Sequence, residues 1–167
     1  MSNTLSSLGI AHTLISLPPI AAGLYGFVRF GRIETLHWSG RVYLLGLALS
    51  VLTSFGLSST GGLNPGHVLG VLALIAACSS LLVPRLEFLG RSRPYLKAFG
   101  PSFSFFLLLV PGTVETLKRL PLSHPIATGS QDPIVGRALL SLLALFIGGF
   151  ALQWMAVRAN LRRAAAQ

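Results

Sequence analysis

The sequence predicts an all-α integral membrane protein, a single helical bundle of about five transmembrane helices. Apolar residues make up 52% of the chain and charged residues only 10%, and the mean hydropathy is +0.71. Connectors rich in glycine, proline or charge separate the apolar stretches. Such a composition is typical of multi-span membrane proteins, and 167 residues suffice for one domain rather than two. We therefore treat residues 1–167 as one membrane domain.

The first predicted span covers residues 7–28, which contain no Lys, Arg, Asp or Glu. About 20 such residues, rising 1.5 Å each, cross the hydrocarbon core of a bilayer. The Pro18-Pro19 pair is acceptable because membrane helices tolerate proline when neighbouring groups bond the freed carbonyls. Small and polar residues recur at helical spacing on one face: His12, Ser16, Pro19, Gly23 and Gly26. We expect this face, and with it His12, to point into the bundle.

Four more spans are predicted, at about residues 42–57, 66–83, 98–116 and 134–157. Small residues form stripes along the second and third spans, which is typical of closely packed helices in lipid. In the fourth span, Pro111-Gly112 predicts a kink or the end of the helix. Residues 117–133 are expected to form a polar loop. In the last span Gln153 predicts a hydrogen bond between helices.

Positive charge predicts the orientation of the bundle. Three Lys or Arg residues lie in residues 29–41, four in 85–97 and three in the tail, whereas the other side carries only Lys118, Arg119 and Arg137. The positive-inside rule therefore puts the amino terminus outside and the carboxyl terminus in the cytoplasm. The composition, rich in Gly and Ala and poor in Cys, fits a bacterial inner membrane. Because the charge of +9 is split among connectors, it indicates contact with membrane lipid rather than with nucleic acid.

Three ionisable groups are predicted to share one depth near the outer side. His12 lies 17 residues before Arg29, His67 lies 18 before Arg85, and Glu115 lies 18 after Lys97. Because ionisable groups inside membrane spans are rare, they suggest a functional site. His12 and His67 could bind a b-type haem or a transition metal, with Glu115 as a third metal ligand or an orienting group. A quinone site is a further possibility.

A structural interpretation of these residues stays open beside the functional one. Glu115 could pair with Arg137, or with Lys118 one turn along the helix. His67 follows Pro65-Gly66 and could lie in water at the mouth of its helix, as could His12. The sequence lacks a P-loop and the catalytic patterns HExxH and GxSxG, so it favours a protein that is not an enzyme.

The connector TLHWSGRVY is the most distinctive segment on the predicted inner side. His37, Trp38 and Arg41 could bind lipid phosphate or a partner, because arginine presents a two-pronged donor. In the alternative interpretation Trp38 and Tyr43 are interfacial aromatic residues, Ser39 caps the second span and Arg41 marks its inner end.

An early His, the connector LHWSGRVYLLG and a His that opens the third span resemble an uncharacterised family of bacterial multi-span membrane proteins. That family has a domain of unknown function with an LHRxxGR-type connector. The resemblance covers about residues 8–95 and implies a small helical bundle with intramembrane histidines, but no established activity. The spacing between His37 and Gly40 departs from the family pattern, and RSRPY lacks the family's histidine after the third span.

Two functions from different classes follow from the sequence. In the first, the chain is a non-catalytic membrane protein, an accessory subunit that packs against other subunits of a larger complex. In the second, it is a haem- or metal-binding electron-transfer protein, or one that interacts with quinone, and it uses His12 and His67. The first predicts histidines that are far apart or bonded to protein groups; the second predicts histidines that converge on one cavity.

Overall fold

A computed structural model of the chain describes residues 7–57, 62, 64–121 and 123–166. The described α-helices are α1 (Ser7–Phe30), α2 (Trp38–Phe55), α3 (Pro65–Leu82), α4 (Arg93–Arg119) and α5 (Pro133–Ala165). Two 3-10 helices, Val83–Arg85 and Glu87–Ser92, connect α3 to α4. The described ranges contain no strand, so the all-α prediction is confirmed. Four segments are long and apolar enough to cross a membrane: Ser7–Phe30, Pro65–Arg85, Glu87–Arg119 and Pro133–Ala165.

Two helices are longer than the sequence predicts. α4 begins at Arg93 rather than near residue 98, and α5 continues to Ala165 rather than to about residue 157. The prediction that Pro111-Gly112 could end a helix is wrong, because α4 continues through both residues to Arg119. Lys118 and Arg119 in its last turn favour this extension, since cations stabilise the carbonyl end of a helix.

The two ends of the bundle contain different sets of residues. The end where α1 begins, which contains His12 and His67, is called the histidine end. The opposite end, which contains the connector between α1 and α2 and the start of α4, is called the basic end. Gln153 of α5 donates a hydrogen bond to the Gly31 carbonyl over 2.9 Å, which places the second half of α5 at the basic end as well.

Close backbone contacts at glycines bring the helices together. A Cβ atom at Gly46 of α2 would lie 2.7 Å from Cδ of Pro19 in α1. At Gly100 of α4, a Cβ would overlap the Ala76 carbonyl oxygen of α3. Since real Cβ atoms do not approach other atoms so closely, only glycine fits at these two positions. The small-residue stripes therefore mark helix–helix contacts, as expected for membrane helices.

The core lies where α1, α2, α3 and α4 meet. Tyr43 of α2 is fully buried, and its hydroxyl group shares a hydrogen bond of 2.7 Å with the Ser104 hydroxyl of α4. The interpretation of Tyr43 as an interfacial aromatic residue is therefore wrong. Tyr43 lies on the same α2 face as buried Gly46 and Leu47, and this shared face directs its ring inwards rather than towards the headgroups.

α5 packs against α4 and is otherwise exposed. Only 6% of its most apolar 18-residue stretch is buried by the rest of the chain. The contact consists largely of aromatic rings, with Tyr95 against Trp154 at 4.0 Å between centroids and Phe106 against Phe146 at 5.0 Å. Gln153 lies in the same contact and accepts a hydrogen bond from Ser102 over 2.9 Å. The predicted interhelical role of Gln153 is thus confirmed.

Replacing Gly100 with Ala is expected to destabilise the bundle. The added methyl group would collide with the Ala76 carbonyl, and overpacking of this kind typically costs about 1–3 kcal/mol. Gly112→Ala, on the same helix, is the matched control, because no atom lies within 4 Å of the added Cβ. Thermal unfolding of both variants in detergent checks this. Equal melting temperatures would contradict the close approach of α3 and α4.

Candidate functional site

His67 is held by the start of its own helix and by α2. Asn64 caps α3, and its side chain accepts a hydrogen bond from the His67 amide over 3.1 Å. In return, Nδ1 of His67 accepts the Asn64 amide proton over 3.1 Å. The ring proton is therefore on Nε2, which donates to the Ser54 carbonyl over 2.9 Å. Both ring nitrogens are bonded to protein groups, and the ring stacks on Phe55.

His12 bonds to the neighbouring residue of α2. Its Nδ1 lies 2.8 Å from Oγ1 of Thr53, and that hydroxyl group donates its own proton to the Leu49 carbonyl. The two side chains share this one hydrogen bond, which joins α1 to α2. His12 and His67 thus bond to successive residues of α2, which fits the predicted common depth. The expectation that His12 points towards the other helices agrees with this contact.

Glu115 is not part of the histidine cluster. Its carboxylate binds Nζ of Lys118 at 2.9 Å and Nη2 of Arg119 at 2.7 Å, both on the same helix. The predicted pair with Lys118 is confirmed. Among the described residues, no three His, Cys, Asp or Glu side chains form a group that could hold a metal ion. The three-ligand set of His12, His67 and Glu115 is therefore not assembled, whereas haem or metal binding by the two histidines stays a prediction.

The α1–α2 connector is folded against the helices at the basic end. Gly31 ends α1 with a positive φ of 67°, a conformation that favours glycine. Further along, Ile33 and Thr35 are buried, and the Thr35 hydroxyl group accepts a hydrogen bond from Ser80 of α3 over 3.2 Å. At Gly40, a Cβ would overlap the Glu34 carbonyl oxygen, so the connector presses on the first turn of α2.

The predicted contact residues of this connector have different surroundings. His37 is the N-cap of α2, and its Nδ1 accepts the Ser39 amide proton over 3.3 Å. The interpretation of Ser39 as the cap is therefore wrong, since Ser39 is buried inside the first turn. Trp38 is 57% exposed, and Arg41 is also exposed. Contact of His37, Trp38 and Arg41 with lipid or a partner stays a prediction.

A charged cavity of about 350 Å³ lies at the basic end. Its lining comes from the connector, the end of α3 and the start of α4: Arg32, Ile33, Glu34, Pro84, Arg93, Pro94, Lys97 and Ala98. Glu34 binds Arg32 at 2.8 Å and Lys97 at 3.2 Å. Burial raises the pKa of the Glu34 carboxyl group, but the hydrogen bonds and charges of Lys97 and Arg32 outweigh burial and leave the pKa below its ordinary value.

Sequence reasoning missed this cavity. The signal was present in Arg93 and Lys97, four residues apart on one helix face, and in Arg32 on a connector assigned to the same side. Those residues entered the sequence argument only as orientation charges. Arg32 and Lys97 are far apart along the chain, so the sequence does not indicate that Glu34 forms an ion pair with both.

Comparison with the profiles of known protein families, with curated proteins and with solved structures finds no match. The resemblance of residues 8–95 to the uncharacterised membrane family stays a prediction.

The bonds of His67 generate a prediction about cofactors. We expect the detergent-purified protein, oxidised or reduced with dithionite, to show no haem Soret band, because neither ring nitrogen of His67 is free to bind iron. His67→Ala should lower the melting temperature, since it removes a capping interaction and a buried hydrogen bond worth about 1–3 kcal/mol together. Sharp haem bands that disappear in both His12→Ala and His67→Ala would contradict this expectation.

The ion pairs of Glu34 make stability depend on acid pH. Because the folded pKa lies below the ordinary value of 4.5, Glu34 stabilises the fold fully above about that pH. This contribution is lost as the pH falls through the folded pKa. Glu34→Gln is expected to lower the melting temperature at pH 7 and to reduce the further loss on acidification. Melting curves of both proteins across this range check the effect; parallel acid losses would contradict it.

Proposed function

We propose that this chain is a non-catalytic, multi-pass membrane protein that acts as an accessory subunit in a larger membrane complex. It lies in a bacterial inner membrane with the amino terminus outside, because the basic connectors and tail share one end. The polar groups at the histidine end support a structural role. His67 is hydrogen-bonded to both Asn64 and Ser54, and Glu115 forms an ion pair with Lys118 on its own helix.

The outer face of α5 is the observation that carries the proposal. Opposite the stripe that packs on α4, small residues recur at intervals of three and four, and all are exposed: Ser141, Ala144, Gly148 and Ala151. A Cβ at Gly148 would meet no atom within 4 Å, unlike one at Gly46 or Gly100. Glycine destabilises a helix interior by about 1 kcal/mol relative to alanine, so its presence needs a reason.

That reason is close packing by another helix. Small residues at this spacing let transmembrane helices approach closely, whereas contact with lipid tails does not require them. The occupant must itself be apolar, because α5 has no charged residue between Arg137 and Arg158. We therefore propose an apolar transmembrane helix of another protein as the partner that covers this stripe.

In the alternative function, His12 and His67 bind haem or a metal and carry electrons. His67 would first have to give up its bonds to Asn64 and Ser54, which hold the start of α3. This cost makes the accessory role the better supported proposal.

The test compares the native mass of the complex extracted in mild detergent. We expect a particle of defined stoichiometry, heavier than the 17.7 kDa chain and containing a second membrane protein. Gly148→Leu should dissociate it, because the side chain would fill the gap between the helices. Gly149→Leu is the matched control, since its Cβ also meets open space but lies off the stripe.

Three outcomes would contradict the proposal. A monomer in the wild type would mean that nothing covers α5. A particle whose mass is a multiple of this chain alone would mean that the partner is a second copy. Equal effects of the Gly148 and Gly149 substitutions would mean that the stripe is not the contact.

A further inference from the structure

The basic-end cavity has the chemistry of a phosphate site. Its lining contains three cations, Arg32, Arg93 and Lys97, against one carboxylate, Glu34. The cations come from two different elements, since Arg32 lies in the connector and the other two lie in the first turns of α4. A volume of about 350 Å³ is at the small end of ligand pockets, which suits a headgroup rather than a whole lipid.

The carboxylate does not neutralise all three cations. Glu34 is bonded to Arg32 and Lys97, which leaves Arg93 without an acidic partner among the described residues. Nη2 of Arg93 donates to the Glu87 carbonyl over 3.2 Å, while its buried Nε has no acceptor. The charge of the Arg93 guanidinium is therefore not balanced by any carboxylate among the described residues. Arginine binds phosphate with two parallel hydrogen bonds, and Arg93 lines the cavity.

The start of α4 adds to the positive potential. The helix is 27 residues long, and it begins at the cavity without a side-chain cap and without an acidic residue in its first turn. The amino end of a helix carries about half a positive charge, which favours anions, while the Arg93 amide itself donates to the Gly90 carbonyl and Pro94 has no amide proton. The helix dipole and the three lining cations therefore act on the same cavity.

We infer that the cavity formed by Arg32, Arg93 and Lys97 binds the phosphate of an anionic phospholipid headgroup. Its position at the ends of α1 and α4, which are long and apolar enough to cross a membrane, places it at headgroup depth. Glu34 holds Arg32 and Lys97 in place but repels the ligand. This site is independent of the proposed α5 partner. It is formed by the α1–α2 connector, the end of α3 and the start of α4, and no residue of α5 lines it.

The experiment titrates the full-length protein in neutral detergent with phosphatidylglycerol, and separately with phosphatidylcholine and inorganic phosphate, while the melting temperature is followed. Phosphatidylglycerol should raise it, and phosphatidylcholine should not. Arg93→Gln should weaken the apparent affinity about tenfold, as expected for the loss of a charged hydrogen bond. Arg162→Gln is the matched control, because it removes the same charge from the same end of the bundle but lies on α5.

Glu34→Gln provides a second, opposite test. Removing the carboxylate should strengthen phosphatidylglycerol binding, even though it lowers the basal melting temperature. A residue that only maintained the fold would not give tighter binding when replaced. This variant keeps the inference testable if Arg93→Gln folds poorly.

The outcomes separate the sources of the phosphate. Stabilisation by phosphatidylglycerol that depends on Arg93 and not on Arg162 supports the lipid site. Equal stabilisation by inorganic phosphate, again dependent on Arg93, supports a phosphate site whose ligand is soluble phosphate rather than lipid. Equal weakening by both arginine substitutions, or no stabilisation by any phosphate compound, would overturn it.

Discussion

The bundle depends on a few positions where a glycine backbone touches a neighbouring segment and leaves no room for a side chain. Gly46 lies on Pro19, Gly100 on the Ala76 carbonyl, and Gly40 on the Glu34 carbonyl. In a membrane, burial of apolar surface does not drive helices together, because lipid is equally apolar. Close contact and hydrogen bonds between helices must do so. The Tyr43–Ser104 bond joins α2 to α4, and the bonds of Gln153 join α5 to α4 and to the α1–α2 connector.

The same constraint explains why the histidine end is closed. An unsatisfied polar group in the hydrocarbon core costs several kcal/mol, which favours the bonds that both histidines make to protein groups. Each ring nitrogen of His67 has one hydrogen bond, and Nδ1 of His12 shares a hydrogen bond with the Thr53 hydroxyl. Groups that look like ligands in the sequence act as links between α2 and its neighbours. Their ring nitrogens bond to Thr53 and Ser54 of α2.

The basic end has the opposite character. Its cavity is lined by three cations and one carboxylate, and Arg93 has no acidic partner among the described residues. Glu34 joins Arg32 to Lys97 and thereby connects the α1–α2 connector to α4. The connector is therefore a packed element rather than a passive loop, and it shapes a cavity with surplus positive charge. The exposed stripe of α5 is a separate surface, and it is uncharged.

The sequence by itself determined the all-helical class, the approximate positions of the helices and the small-residue contact faces. These follow from hydropathy and helical spacing, which are local properties. It also predicted the interhelical bond of Gln153 and the pair of Glu115 with Lys118. Only the tertiary structure decided that Tyr43 is buried, that His37 rather than Ser39 caps α2, and that Glu115 lies apart from the histidines. It alone brought Arg32, Glu34 and Lys97 together, because contacts between residues distant in the chain depend on how the helices pack and not on local pattern.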